Sequence, residues 1–293
     1  MKVLDLFSGI GGFSLGLERA GMETVAFCEI EDYPRRVLKK HWPTVPIYED
    51  VRLLTAEVLK SDGIAADVIC GGFPCQDLSV AGNQKGITAE RSGLWSEIAR
   101  LISEIRPRYA IVENVTALIS GDRGRWFGRV LGDLAKIGYD CEWHCIPASE
   151  FGAHHHRDRV WIIAYPSEVG CGFGRDNRQE RSVQNNEERH AQKIQRKGNK
   201  RLARSSKACS ILPDTDSAQR KGERKPIGIL AQYADFGSAS RWEAEPAICR
   251  VANGIPDTSH RLRALGNAVV PQIPEAIGRA IMKYEESVKC KGI

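Results

Sequence analysis

Two hydrophobic rhythms alternate along the first half of this chain of 293 residues. Short apolar runs bounded by turn residues give way to stretches in which apolar positions recur every three to four residues, the patterns of buried strands and amphipathic helices. Val3 to Phe7 predicts strand one, followed by the loop Ser8-Gly9-Ile10-Gly11-Gly12. A helix with Phe13, Leu17 and Ala20 on one face comes next and stops at Gly21. Thr24 to Cys28 predicts strand two, with Glu29 at its tip, and a third unit ends near Tyr48-Glu49-Asp50-Val51. The fourth strand, Asp67 to Cys70, runs into Gly71-Gly72-Phe73-Pro74-Cys75. Leu94, Ile98, Leu101 and Ile105 stripe a helix that feeds strand five, Tyr109 to Val112, with Glu113 at its end. Trp126, Val130, Leu134 and Ile137 predict a further helix, and Arg159 to Ala164 a further strand.

From about Tyr165 to Arg241 the periodicity vanishes. It resumes at Gly266-Asn267-Ala268-Val269-Val270, after which Ile273, Ile277 and Ile281 step along a last helix. The alternation predicts an α/β fold, a doubly wound and mostly parallel sheet of Rossmann-like type with a small inserted lobe. Residues 1–165 and 245–293 are expected to form the larger lobe, and 166–244 the insert, basic and partly irregular.

Composition narrows the class. The 42% hydrophobic content suits a globular protein. No apolar run reaches membrane-spanning length, and Met1-Lys2 leads straight into a strand, so a cytoplasmic protein without a membrane is expected. Nine cysteines include no CxxC pair, which argues against a disulfide framework. The net charge of +5 is unevenly placed: Gly174 to Pro226 carries +8 and the remainder −3. Such a segment suits a polyanion, and equally a solvated insert.

Ligands of open α/β sheets bind at the carboxyl ends of the strands, where Glu29, Asp50, Cys75 and Glu113 all fall. Gly9-x-Gly11-Gly12 lets backbone approach a ligand, and Glu29 lies twenty residues beyond Gly9, a spacing suited to ribose hydroxyls. Asp5, Glu29 and Asp50 with no Lys or Arg in the loop favour a cationic sulfonium over a pyrophosphate, hence S-adenosyl-L-methionine over NAD. For Asp5 the alternative is a buried strand residue satisfied by loop amides. Cys75 stands on a loop stiffened by Pro74 and is a candidate nucleophile, with Glu113 as its acid partner. Arg157 and Arg159, two apart at a strand start, are expected to point the same way and to hold the glutamate, a substrate base or its phosphate. Cys141, His144, Cys145 and His154-His155-His156 lack the second pair that a tetrahedral zinc site needs, so no metal is expected.

Together these residues resemble the DNA (cytosine-5) methyltransferases of bacteria and phages. Asp5-Leu6-Phe7-Ser8-Gly9-Ile10-Gly11-Gly12-Phe13 is similar to their first motif, and Gly72-Phe73-Pro74-Cys75-Gln76 to their catalytic loop. Glu113-Asn114-Val115 resembles their ENV motif, Arg157-x-Arg159 their QxRxR element, and Gly266-Asn267-Ala268-Val269 their last motif. His155 stands where the family has Gln, which puts the support of the base in doubt there. The resemblance implies that Phe7, Gly9, Gly11 and Gly12 line the methionine part of the cofactor and Glu29 the ribose. It also implies Ile30 and Val51 on the adenine faces, Asp50 on the adenine amino group, Pro74 in the same pocket, and Asn267 and Ala268 completing it. Cys75 would add to carbon 6 of a cytosine flipped out of duplex DNA, Glu113 would protonate ring nitrogen 3, and the methyl group would go to carbon 5. The 166–244 insert would recognise the target, in a monomer with a cognate restriction endonuclease as candidate partner. A tRNA cytosine-5 methyltransferase and a catalytically silent cofactor- or DNA-binding protein are the alternatives.

Overall fold

In the computed structural model, which describes residues 1–74, 93–167 and 258–290, the apolar runs are strands. They are β1 (Lys2–Leu6), β2 (Glu23–Cys28), β3 (Ile47–Tyr48), β4 (Val68–Gly72), β5 (Tyr109–Val115), β6 (Tyr139–Ile146) and β7 (Arg159–Pro166). The helical stretches are α1 (Gly12–Arg19), α2 (Asp32–His41), α3 (Ala56–Ser61), α4 (Leu94–Ile105), α5 (Ala117–Ser120), α6 (Arg125–Lys136), α7 (Thr258–Asn267) and α8 (Gln272–Cys290). All described residues belong to one unit, to which both the first 167 residues and the C-terminal end contribute. Cys75 and the basic stretch within 166–244 lie outside the described residues. Among those described, no helix is long and apolar enough to cross a membrane.

The strands pair in the order β3-β2-β1-β4-β5-β7-β6. The first five are parallel, whereas β7 runs antiparallel to both β5 and β6. Strands buried on both faces must be apolar on both, and β1 shows it: Leu4 and Leu6 pack toward one face, Val3 toward the other. Trp95, Ile98 and Leu101 of α4 and Phe127, Val130 and Leu134 of α6 cover the first face. Phe13 and Leu17 of α1 with Ile273, Ile277 and Ile281 of α8 cover the second. This is the doubly wound, mostly parallel α/β sheet that the alternation predicts.

Two features of the topology position the site. The chain steps outward from β1 to β2 and β3, then returns to the other side of β1 with β4, so a crevice opens at the carboxyl ends of β1 and β4. Because β7 is antiparallel, its first residue, Arg159, arrives at that same edge, paired with Val115. That pairing also explains why β5 runs to Val115 and not to Val112: β7 supplies ladder partners through Arg159, so Glu113 sits inside a strand. Gly266 and Asn267 close α7, a helix the sequence does not announce. Its Leu262 and Leu265 are exposed, leaving no continuous apolar stripe.

Candidate active site

A cavity of about 920 Å³ occupies the crevice and is lined from the tips of β1 to β5, the start of β7 and the end of α7. Its two halves differ in charge. Phe7, Gly9, Glu29, Ile30, Glu31, Glu49, Asp50, Val51 and Arg52 line the half built on β1, β2 and β3. Glu29, only 8% exposed, accepts hydrogen bonds at Oε2 from the Gly9 amide (2.7 Å) and at Oε1 from the Glu31 amide (2.8 Å). Burial lifts its pKa above the ordinary carboxylate value, and those two amides oppose the rise. Phe7 reaches the cavity from a left-handed backbone (φ 52°), a conformation costly for a residue with a side chain.

Asp50 is held differently. Arg52 grips it through Nε (2.9 Å to Oδ1, 3.1 Å to Oδ2) and a terminal nitrogen (2.7 Å to Oδ2), which keeps its carboxyl below the usual range. Arg52 thus brings a cation to the rim from outside the Ser8–Gly12 loop, which itself carries no Lys or Arg. Asp5 does not line the cavity at all. It is fully buried, accepts a 2.7 Å hydrogen bond from the Ser14 hydroxyl, and burial raises its pKa to about 7. It is therefore a buried strand residue, as in the alternative reading, but Ser14 of α1 holds it where loop amides were expected, tying β1 to α1.

The other half is built on β4, β5, β7 and α7. Here Glu113, with its side chain 13% exposed, meets Arg159, whose Nε lies 2.9 Å from Oε1. Burial raises the Glu113 pKa, against the pull of the Arg159 and Arg157 cations. Room for this carboxylate comes from a missing side chain: a Cβ on Gly72 would lie 2.8 Å from Glu113 Oε2. Asn114, 2% exposed, donates from Nδ2 to the Phe73 carbonyl (3.3 Å) and so fixes the approach to Pro74, which also lines the cavity.

Arg157 shares the cavity with Arg159, though not through strand alternation. It precedes β7 with a left-handed backbone (φ 41°). Its guanidinium donates to the Gly266 carbonyl (2.8 Å) and the Ala268 carbonyl (2.7 Å), which flank Asn267. Arg157 thus clasps the C-terminal return while Arg159 holds the glutamate.

The structure brings Phe7, Gly9, Glu29, Ile30, Asp50, Val51, Pro74, Glu113, Arg157, Arg159 and Asn267 to one cavity. Gly11, Gly12 and Ala268 do not line it. A Cβ on Gly11 would strike the Trp42 ring at 2.6 Å, and one on Gly12 the Val269 carbonyl at 2.5 Å, so packing requires these glycines. His155 is exposed and does not line the cavity either. Sequence reasoning did not bring Arg52 or Arg263 to the site, and it placed Gly72 and Asn114 there only within motifs, with no role of their own. The signal for those two was their place in the catalytic-loop and ENV resemblances. Among the described residues, no group of three or more His, Cys, Asp or Glu side chains could hold a metal ion.

The cleft thus lies over the switch point of a doubly wound α/β sheet, acidic at one end and holding a half-buried Glu–Arg pair at the other. The chain belongs to the C-5 cytosine-specific DNA methylase family, which matches residues 1–229. It is 37% identical over 168 residues to a Type II methyltransferase of Bacillus subtilis, covering 56% of this chain and 42% of that one. To a Type II methyltransferase of Neisseria gonorrhoeae it is 33% identical over 172 residues, 59% and 53% of the two chains. A crystal structure of the S. pombe Dnmt2 methyltransferase superposes with a TM-score of 0.46 at 20% identity, over 60% of this chain and 51% of that one. The chain spans about half the length of the curated relatives it matches.

Proposed function

We propose that this chain transfers a methyl group from S-adenosyl-L-methionine to carbon 5 of cytosine in double-stranded DNA, through a covalent adduct at Cys75. The observation that carries the reading is the half-buried Glu113 carboxyl, held at 2.9 Å by Arg159 in a cavity bordered by Pro74, the residue before Cys75. The donor set of the other half suits the cofactor: Glu29 for ribose hydroxyls, Val51 and Ile30 as apolar walls, and more acids than bases to face a sulfonium. When bound there, the cofactor supplies an electrophilic methyl group.

The chain's own residues prepare the acceptor. Carbon 5 of cytosine is too weakly nucleophilic on its own. Bonding of the Cys75 thiolate to carbon 6, with a proton from Glu113 to ring nitrogen 3, pushes an electron pair to carbon 5. After methylation the proton on carbon 5 leaves to solvent, the electron pair re-forms the ring double bond as the thiolate departs, and the proton on nitrogen 3 returns to Glu113. A carboxyl lifted by burial keeps its proton for this step more readily than an exposed one. Arg159 keeps the group oriented, and Arg157 holds the Gly266–Ala268 return that brings Asn267 to the cavity. The base must leave the duplex to reach such a pocket, and we assign recognition of the neighbouring bases to residues 166–244. The Type II naming of the relatives supports a cognate endonuclease as partner.

Duplex DNA carrying 5-fluorocytosine at the target site tests the mechanism, because fluorine cannot leave carbon 5 as the proton does. The wild-type chain should form a denaturation-resistant adduct, and Cys75→Ser should form none while still binding S-adenosylhomocysteine. Methylation of ordinary DNA without adduct formation on the fluorinated duplex would sink the covalent route. Labelled cofactor offered with duplex DNA and with tRNA decides the substrate.

A further inference from the structure

We infer that Arg100 is a positioning residue for the cofactor half of the cavity, acting through the backbone of residues 51–54; this rests on the functional reading above. The wall formed by Asp50, Val51 and Arg52 is poorly supported by the sheet. It follows β3, an edge strand of two residues, and leads into α3, a helix of six. A segment between two such short elements needs anchoring from elsewhere.

The anchor is on α4. One terminal nitrogen of Arg100, Nη2, donates to two carbonyls of the wall, Val51 (3.0 Å) and Leu54 (2.9 Å). The rest of the guanidinium is held in place on its own helix. Nε donates to Glu97 (2.9 Å) one turn before, and Nη1 to Glu104 (2.9 Å) one turn after. Glu104 then uses its other oxygen to accept the amide of Ala56 (3.1 Å), the first residue of α3. The helix thus grips the segment at both ends, at Val51 and at Ala56. Val51 and Leu54 are 5% and 1% exposed, so their side chains are committed to the core and the segment has little freedom once gripped.

The arrangement demands a guanidinium. Its planar fork reaches two carboxylates and two carbonyls at once, which the single ammonium of a lysine cannot do. The two acids outnumber the one base, and all three side chains are 24–30% exposed, so the group is a structural clamp with no charge directed into the cavity. Arg100 does not itself line the cavity, but Leu94 at the start of α4 does. Helix α4 therefore touches the site at one end and holds its cofactor wall from the middle.

Titration of the full-length chain with S-adenosylhomocysteine, alongside steady-state methylation of duplex DNA, tests this. Arg100→Ala should raise the dissociation constant about tenfold or more and raise KM for S-adenosylmethionine in step, while kcat at saturating cofactor stays within about twofold of wild type. Arg100→Lys, which keeps the charge on α4 and one of the two carbonyl contacts, should restore part of the affinity; it carries the test if the alanine variant does not fold. A residue important only for folding would lower the melting temperature of both variants without separating KM from kcat. An unchanged dissociation constant, or an equal fall in kcat at saturation, overturns the inference and leaves the functional reading standing. A wild-type chain that binds no S-adenosylhomocysteine takes both down.

Discussion

Glu113 shows how a residue's chemistry is set by its surroundings. Its carboxyl is raised by burial and pulled down by two arginines, so its proton is lost at a higher pH than that of an exposed glutamate. The protonated form is the one the mechanism needs, so kcat should fall as pH rises through this raised value. Glu113→Gln should lower kcat by about two orders of magnitude or more, with cofactor affinity nearly unchanged. Removing the nearest cation with Arg159→Met withdraws an influence that lowers the pKa. The alkaline limb of the remaining activity should then move to higher pH; a limb that moves to lower pH contradicts the assignment. Of these residues, Glu113 was legible as a carboxylate near a strand tip. Its clasp by Arg159 was foreseen only as one of three roles, and its need for a bare Gly72 was not foreseen, because that need arises between neighbouring strands.

At the scale of elements, the return of α8 onto α1 holds the two ends of the unit together. Gly16 of α1 lies so close to α8 that a Cβ there would meet the Pro271 carbonyl at 2.2 Å and the Glu275 amide nitrogen at 2.9 Å. Alanine is the better helix former by about 1 kcal/mol, yet backbone cannot give way as a side chain can, so Gly16→Ala should cost about 1–3 kcal/mol. Gly128 of α6 provides the control, being exposed and with nothing within 4 Å of the place a Cβ would take. Gly128→Ala should hold or raise the melting temperature, and Gly16→Ala should lower it. Equal behaviour of the two would mean that α8 is not seated on α1 as described. The same seating is fixed farther along by Glu285, which pairs with Arg108 and accepts the Tyr109 hydroxyl at 2.8 Å. The 3.6-residue stripe of Ile273, Ile277 and Ile281 announced the helix, but no pattern within it names α1 as its partner.

For the whole molecule, the charge distribution yields a prediction independent of the cavity. Residues 174–226 carry +8 against −3 elsewhere, and if they track the phosphate backbone, each contact contributes about −0.9 to the slope of log affinity against log salt. Replacing Lys197, Lys200 and Arg201 with alanine should weaken binding to all duplexes and flatten that slope without changing which cytosine is modified. An unaltered slope would mean that these charges are solvated and do not contact DNA. The α/β class, strands β1, β2, β4, β5 and β7, helices α1, α4, α6 and α8, and the residues near the strand tips were readable along the chain, because hydrophobic period and turn chemistry are local. Pairing decided the rest. Whether Arg157 and Arg159 share a task, whether Asp5 faces a ligand or Ser14, and which helix holds the Val51–Leu54 wall depend on strand order and on an antiparallel β7. Those are contacts between residues tens of positions apart, and periodicity along one segment carries no information about its distant partner.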